Sequence, residues 1–144
     1  MIATPLVVGL DDPAYGAFLN WMYFSDATLT FPQTLVLRYS QLEPEERRNP
    51  QVAGDYAKWF LGRLRAVEAA TANGQNLCAG RFTAADIVNG YALRLAGNIG
   101  LAKDFGPNVA AYWARLQERD GYQRAVAAER KAGVEQNIAP RVRA

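Results

Sequence analysis

Apolar residues recur every three or four positions along most of this 144-residue chain, which is the spacing of amphipathic helices. Asn49 is suited to cap a helix that has Pro50 at its first position. The apolar stripe of that helix is formed by Ala53, Tyr56, Ala57, Phe60, Leu64 and Val67. A very apolar helix is predicted over residues 84–97, and another begins at Pro107. Because no segment shows strand periodicity, the pattern predicts an all-α bundle of five to six helices.

The first predicted helix begins at Asp12-Pro13 and carries apolar residues on two sides. One stripe contains Phe18, Met22 and Leu29, and the second contains Trp21, Phe24, Thr28 and Phe31. A small bundle core buries only one side of a helix, so the other side requires a further partner. Pro32 lies inside this pattern and predicts a kink or interruption near Thr30-Phe31.

Residues 81–87 carry two devices that start a helix. Thr83 and Asp86 have the spacing of a capping box, and Phe82 and Ile87 have the spacing of a hydrophobic staple. A threonine beside an acid could also suggest catalysis. The flanking apolar residues favour the structural interpretation.

The stretch from Gly80 to Ile87 resembles a signature of the glutathione transferase superfamily, found at the head of a central helix in its C-terminal helical domain. The resemblance covers residues 11–130. Together with the residue pattern along the chain, it predicts a linker or arm at 1–11, a helical domain at 12–132 and a loose tail at 133–144. No part of this chain resembles the N-terminal thioredoxin-like domain of that superfamily, which binds glutathione.

For the whole protein, this resemblance implies attack of the glutathione thiolate on an electrophilic carbon, a reaction of detoxification. The activating residue belongs to the thioredoxin-like domain, so this chain has no catalytic residue and is predicted inactive alone. The resemblance assigns it the wall of the apolar substrate site and part of a homodimer interface. Glutathione is the implied co-substrate, apolar small molecules are the ligands, and the missing domain is a partner. The alternative is a non-catalytic scaffold module, because one fold serves several functions.

The aromatic side of the first helix provides the candidate substrate wall. Its members are Tyr15, Trp21, Phe24, Thr28 and Phe31. For any one of them, packing in the core is the competing interpretation. Asp26, in the same helix, is expected to accept hydrogen bonds from a partner or ligand, or to pair with a nearby arginine. Arg38, Arg63 and Arg65 are either anion ligands or members of solvated helix faces.

The composition of the chain argues against several classes of function. The net charge of +2 argues against a nucleic-acid partner. The chain has no histidine and one cysteine, which argues against a bound metal and indicates a reducing, cytoplasmic setting. Cys78 is either a core residue or a reactive thiol. No segment has the length and apolar character of a membrane span.

Overall fold

The computed structural model of the protein describes residues 4–138, in which helices follow one another without strands. The first rod comprises α1 (Tyr15–Tyr23), a first π-helical segment (Phe24–Thr30), α2 (Phe31–Leu37) and a second π-helical segment (Arg38–Leu42). It is followed by α3 (Pro50–Thr71), α4 (Ala84–Asn98), α5 (Pro107–Glu118) and α6 (Asp120–Glu135). The predicted all-α class is therefore confirmed.

The central helix of the bundle is α4, which contacts the first rod on one side and α5 on the other. Ala92, Leu93 and Ala96 of α4 are fully buried. They share one core with Leu29, Phe60, Leu64, Val67, Leu77, Leu101, Val109, Tyr112 and Leu116. The apolar composition of this segment follows from its central position, because a helix surrounded by others must be apolar on several sides.

The first rod changes its winding where Pro32 interrupts the hydrogen-bond ladder. Proline has no backbone N–H, and the N–H of Phe31 donates to the carbonyl of Asp26, five residues back. Ser25 of the π segment and Gln33 of α2 are both buried in the bundle. Ser25 donates to the carbonyl of Val88 at 2.6 Å. The predicted interruption thus falls at the junction between the first π segment and α2.

The described part of the predicted arm, residues 4–11, packs against the loop before α4. Val8 is buried, and the carbonyl of Leu6 accepts from the N–H of Ala84 at 2.8 Å. The Arg81 guanidinium donates to the carbonyl of Val7 at 3.1 Å and also to that of Pro5. At the other end, α6 continues to Glu135, beyond the expected boundary at 132. Residues 1–3 and 139–144 lie outside the described part of the chain.

The start of α5 is capped by a side chain from another helix. Glu68 of α3 accepts from the N–H of Asn108 at 3.0 Å and from that of Val109 at 2.8 Å. Gly106 permits this approach, because a β-carbon there would lie 2.5 Å from Glu68 Oε2. The carboxylate therefore satisfies two backbone donors that the first turn of α5 leaves unpaired.

Candidate functional site

A buried carboxylate organises the start of α4. Thr83 and Asp86 form a capping box, in which the Thr83 N–H donates to Asp86 Oδ2 at 2.8 Å. Asp86 also accepts from the Leu77 N–H at 3.0 Å, from the Tyr112 hydroxyl at 2.9 Å and from the Thr83 hydroxyl at 3.2 Å. Because the carboxylate is fully buried and has four donors, it holds three chain segments together rather than serving a ligand.

Cys78 lies beneath this capping box. Its thiol is buried with Val8, Phe18 and Ala85, and its sulfur is 3.8 Å from the Thr83 hydroxyl. Burial raises the pKa of the Cys78 thiol above its usual range. The neutral form therefore dominates near pH 7, which favours the interpretation of Cys78 as a core residue over that of a reactive thiol.

The five residues predicted as a substrate wall lie in different environments. Tyr15 packs against the small cluster around Val8. Trp21 and Phe24 meet edge to face, with their ring centroids 5.1 Å apart, and both pack against the main core. Thr28 is half-buried, whereas Phe31 is 50% exposed and contacts aromatic rings of α3. Two cavities lie beside α4, and none of these five residues contributes to the lining of either one.

The smaller cavity, of about 280 Å³, lies between the first rod and α4. It is lined by Met22, Ser25, Asp26, Thr30, Ile87, Val88 and Tyr91. Asp26 is exposed and forms no ion pair among residues 4–138, so the predicted pairing with a local arginine is not seen there. This cavity, which we call the α1–α4 cavity, combines apolar walls with one carboxylate.

The larger cavity, of about 820 Å³, is an open groove lined by residues of α4, α5 and α6. Aromatic lining comes from Phe82, Tyr91, Trp113 and Tyr122, and basic lining from Arg94, Arg119 and Arg124. Arg94 is ion-paired with Glu129 of α6, and the Arg119 guanidinium carbon lies 3.5 Å from the centroid of the Phe82 ring. We call this cavity the α4–α6 groove. Its volume is within the usual range for small-molecule sites.

Ile87 and Tyr91 line both cavities and join them into one surface. Ile87 is 48% exposed and Tyr91 is 59% exposed, and Tyr23 on α1 is 72% exposed. Sequence reasoning assigned Ile87 to the staple and did not select Tyr91. The available signal was that Ile87 and Tyr91 are four residues apart on the side of α4 that faces away from the buried Ala92 and Ala96.

The other candidate polar residues have simple structural explanations. Arg38 donates to Glu43 at 2.7 Å, and this hydrogen bond raises the pKa of Arg38 and lowers that of Glu43. Arg63 is exposed, and Arg65 donates to the carbonyl of Gly62 at 3.1 Å.

Within residues 4–138, no cluster of acidic or cysteine side chains could hold a metal ion. None of the described helices is long and apolar enough to cross a membrane.

This arrangement, with a buried capping box at the head of a central helix and an apolar surface beside it, is the fold of the C-terminal helical domain of glutathione transferases. The chain is similar to the crystal structure of the glutathione transferase URE2P5 from Phanerochaete chrysosporium, with a TM-score of 0.77 and 23% identity over 91% of this chain and 60% of that one. A structure of Ure2p5 cocrystallised with 1-(S-glutathionyl)-2,4-dinitrobenzene has a TM-score of 0.75 and 23% identity over 88% of this chain and 60% of that one.

A possible glutathione transferase from Rhodopseudomonas palustris has a TM-score of 0.67 and 21% identity over 83% of this chain and 54% of that one. No protein-family profile and no curated protein matches the chain. The chain thus spans about 60% of the length of the first two transferase structures. At these identities the likeness shows the fold, and the predicted resemblance is confirmed at that level.

Proposed function

We propose that this chain is the helical part of a glutathione transferase-like protein and provides the apolar wall of a site for an electrophile. The observation that carries the proposal is the surface shared by the α1–α4 cavity and the α4–α6 groove, centred on Ile87 and Tyr91. The bundle leaves these large apolar side chains uncovered, whereas it buries those of the core.

The same surface suits a thioredoxin-like partner domain. Its apolar centre would pack against that domain, and the arginines of the α4–α6 groove would meet acidic groups at the rim. The reaction of the whole protein forms a carbon–sulfur bond between glutathione and the electrophile, while the leaving group departs. This chain would contribute binding and orientation of the electrophile, which accelerate a two-substrate reaction. The partner would hold glutathione.

Two sets of residues are candidates for the wall. The set proposed from the sequence is Tyr15, Trp21, Phe24, Thr28 and Phe31, and the set beside the cavities contains Met22, Ile87 and Tyr91. Trp21 and Phe24 pack against the core from the same rod that carries Met22. We favour the second set for direct contact, with Trp21 and Phe24 supporting it.

The proposal is tested with the full chain and an apolar fluorescent dye, displaced by 1-(S-glutathionyl)-2,4-dinitrobenzene. We expect Tyr91→Ser to weaken dye binding about tenfold, because it removes an exposed aromatic contact from both cavities. Leu10→Ser is the matched control, since Leu10 is 77% exposed on the arm and lines neither cavity. Equal affinities for the wild-type chain and Tyr91→Ser, with unchanged far-UV circular dichroism, would contradict the proposal.

A further inference from the structure

We infer that the α1–α4 cavity selects apolar ligands that carry an ammonium group, which the carboxylate of Asp26 binds beside the ring of Tyr91. The inference rests on the proposed function and deepens it, because it names the chemical class of electrophile that this end of the apolar wall prefers. Asp26 determines specificity here and takes no part in forming the carbon–sulfur bond.

The first observation is a carboxylate without a cationic partner in the described part of the chain. Within residues 4–138, Asp26 forms no ion pair. The first rod and α4, which enclose the cavity, each contain one basic residue, Arg38 and Arg94 respectively. Arg38 is paired with Glu43 at 2.7 Å, and Arg94 is paired with Glu129. Both elements therefore leave the charge of Asp26 available to a ligand.

The second observation is the single sign of charge in the lining of the cavity. Apart from Asp26, the lining residues are Met22, Ser25, Thr30, Ile87, Val88 and Tyr91, which are all uncharged. The Ser25 hydroxyl is already engaged, because it donates to the carbonyl of Val88 at 2.6 Å. A concave surface that carries one sign of charge attracts ligands of the opposite sign. The α1–α4 cavity therefore favours a cation over a neutral group and a neutral group over an anion.

The third observation is an aromatic side chain at the same cavity. Tyr91 borders the cavity and is 59% exposed, so its ring is accessible to a ligand. The face of an aromatic ring attracts an ammonium group, and a nearby carboxylate adds to this attraction. Met22, Ile87 and Val88 provide apolar contacts for the rest of the ligand.

The volume of the cavity limits the size of the ligand. An apolar cavity of about 150 Å³ holds one benzene molecule. The α1–α4 cavity, of about 280 Å³, therefore accommodates one aromatic ring with a short side chain that ends in the ammonium group. Asp26 is exposed, so solvent and salt screen its charge and keep the preference for a cation modest.

The test compares three probes that share a phenylethyl group and differ in charge. They are phenethylammonium, 2-phenylethanol and 3-phenylpropionate, titrated into the full chain and followed by NMR. Met22 is one of two methionines in the sequence, so its methyl signal reports binding at this cavity. We expect phenethylammonium to bind about fivefold more tightly than 2-phenylethanol at low salt, and 3-phenylpropionate to bind most weakly. The preference should decrease in 0.5 M sodium chloride, roughly to twofold or less.

Variants of Asp26 test its role directly. Asp26→Asn should abolish the preference for the ammonium probe and leave the affinity for 2-phenylethanol within about twofold, because only the charge is removed. Asp26→Lys should reverse the preference in favour of 3-phenylpropionate. Asp55→Asn is the matched control, since Asp55 is an exposed helical aspartate that lines neither cavity. It changes the net charge equally and should keep the wild-type preference.

The neutral probe separates this inference from the proposed function. If 2-phenylethanol shifts the Met22 signal but phenethylammonium binds no more tightly, the inference is wrong and the proposed function stands. The same conclusion follows if Asp26→Asn keeps the preference or Asp55→Asn loses it. If none of the three probes shifts the Met22 signal, both the inference and the proposed wall at this cavity are contradicted.

Discussion

At the residue scale, the capping box of Thr83 and Asp86 makes a measurable contribution to folding. We expect Thr83→Ala to lower the free energy of unfolding by about 0.5–2 kcal/mol. Asp86→Ala should cost more, because it leaves the Leu77 N–H and the Tyr112 hydroxyl without their acceptor. The double variant should be less destabilised than the sum, since both side chains serve one network. Urea unfolding of the four proteins measures this, and strict additivity would argue against a shared network.

Tyr112 gives the same network a dependence on alkaline pH. Burial, followed by the charge of Asp86 and their hydrogen bond, raises the pKa of Tyr112 far above its ordinary value. In the unfolded chain that tyrosine ionises near pH 10, whereas in the folded chain it stays protonated. Above pH 10 the unfolded state therefore binds fewer protons, and stability falls by up to about 1.4 kcal/mol per pH unit from this group.

We therefore expect the difference in stability between the wild-type chain and Tyr112→Phe to shrink as pH rises from 8 to about 11. The variant loses the hydrogen bond to Asp86 at every pH but has no hydroxyl to titrate. Urea unfolding at several pH values measures the difference. A constant difference across this range would show that the folded-state pKa of Tyr112 is not raised.

At the element scale, α5 depends on a carboxylate that α3 supplies. Glu68→Ala should destabilise the chain by about 1–2 kcal/mol, because two N–H groups of the first turn of α5 lose their acceptor. Gly106→Ala should act similarly by displacing the Glu68 side chain, and combining both changes should add little. Glu68→Gln, which keeps an acceptor oxygen, serves as the control. Thermal unfolding with unchanged midpoints for both alanine variants would disprove the capping role.

Local sequence patterns predicted where the helices begin better than they predicted which helix faces are exposed. Asn49, Thr83 and Pro107 mark helix starts, because capping depends on residues close in sequence. The π winding of residues 24–30 has no comparable local signal. Trp21 and Phe24, which the sequence predicts to face a ligand, are partly buried and pack against the core. The capping role of Glu68 has no local signal either, because its partner Asn108 lies 40 residues away.

At the scale of the whole molecule, the chain alone should bind apolar compounds without conjugating glutathione. No residue of the described bundle is placed as an activator of a thiol, and the sequence contains no histidine. Isothermal calorimetry with glutathione and a spectroscopic conjugation assay with 1-chloro-2,4-dinitrobenzene check this prediction. Saturable glutathione heat at millimolar concentration, or conjugation above the uncatalysed rate, would refute it and also remove the need for a partner domain.

Because of the position of Cys78, the rate at which its thiol is modified measures local unfolding of the surrounding segments. The thiol is the only one in the sequence; it belongs to the loop before α4 and packs in one cluster with Val8 of the arm. A labelling reagent can reach it only when those segments separate, so the modification rate reports the free energy of that separation. Arg81→Ala removes two hydrogen bonds between the arm and the loop. It should accelerate labelling of Cys78 while changing the free energy of global unfolding far less. Binding of a second domain that held the arm in place would slow the modification of Cys78. The decrease in the labelling rate would therefore measure that binding.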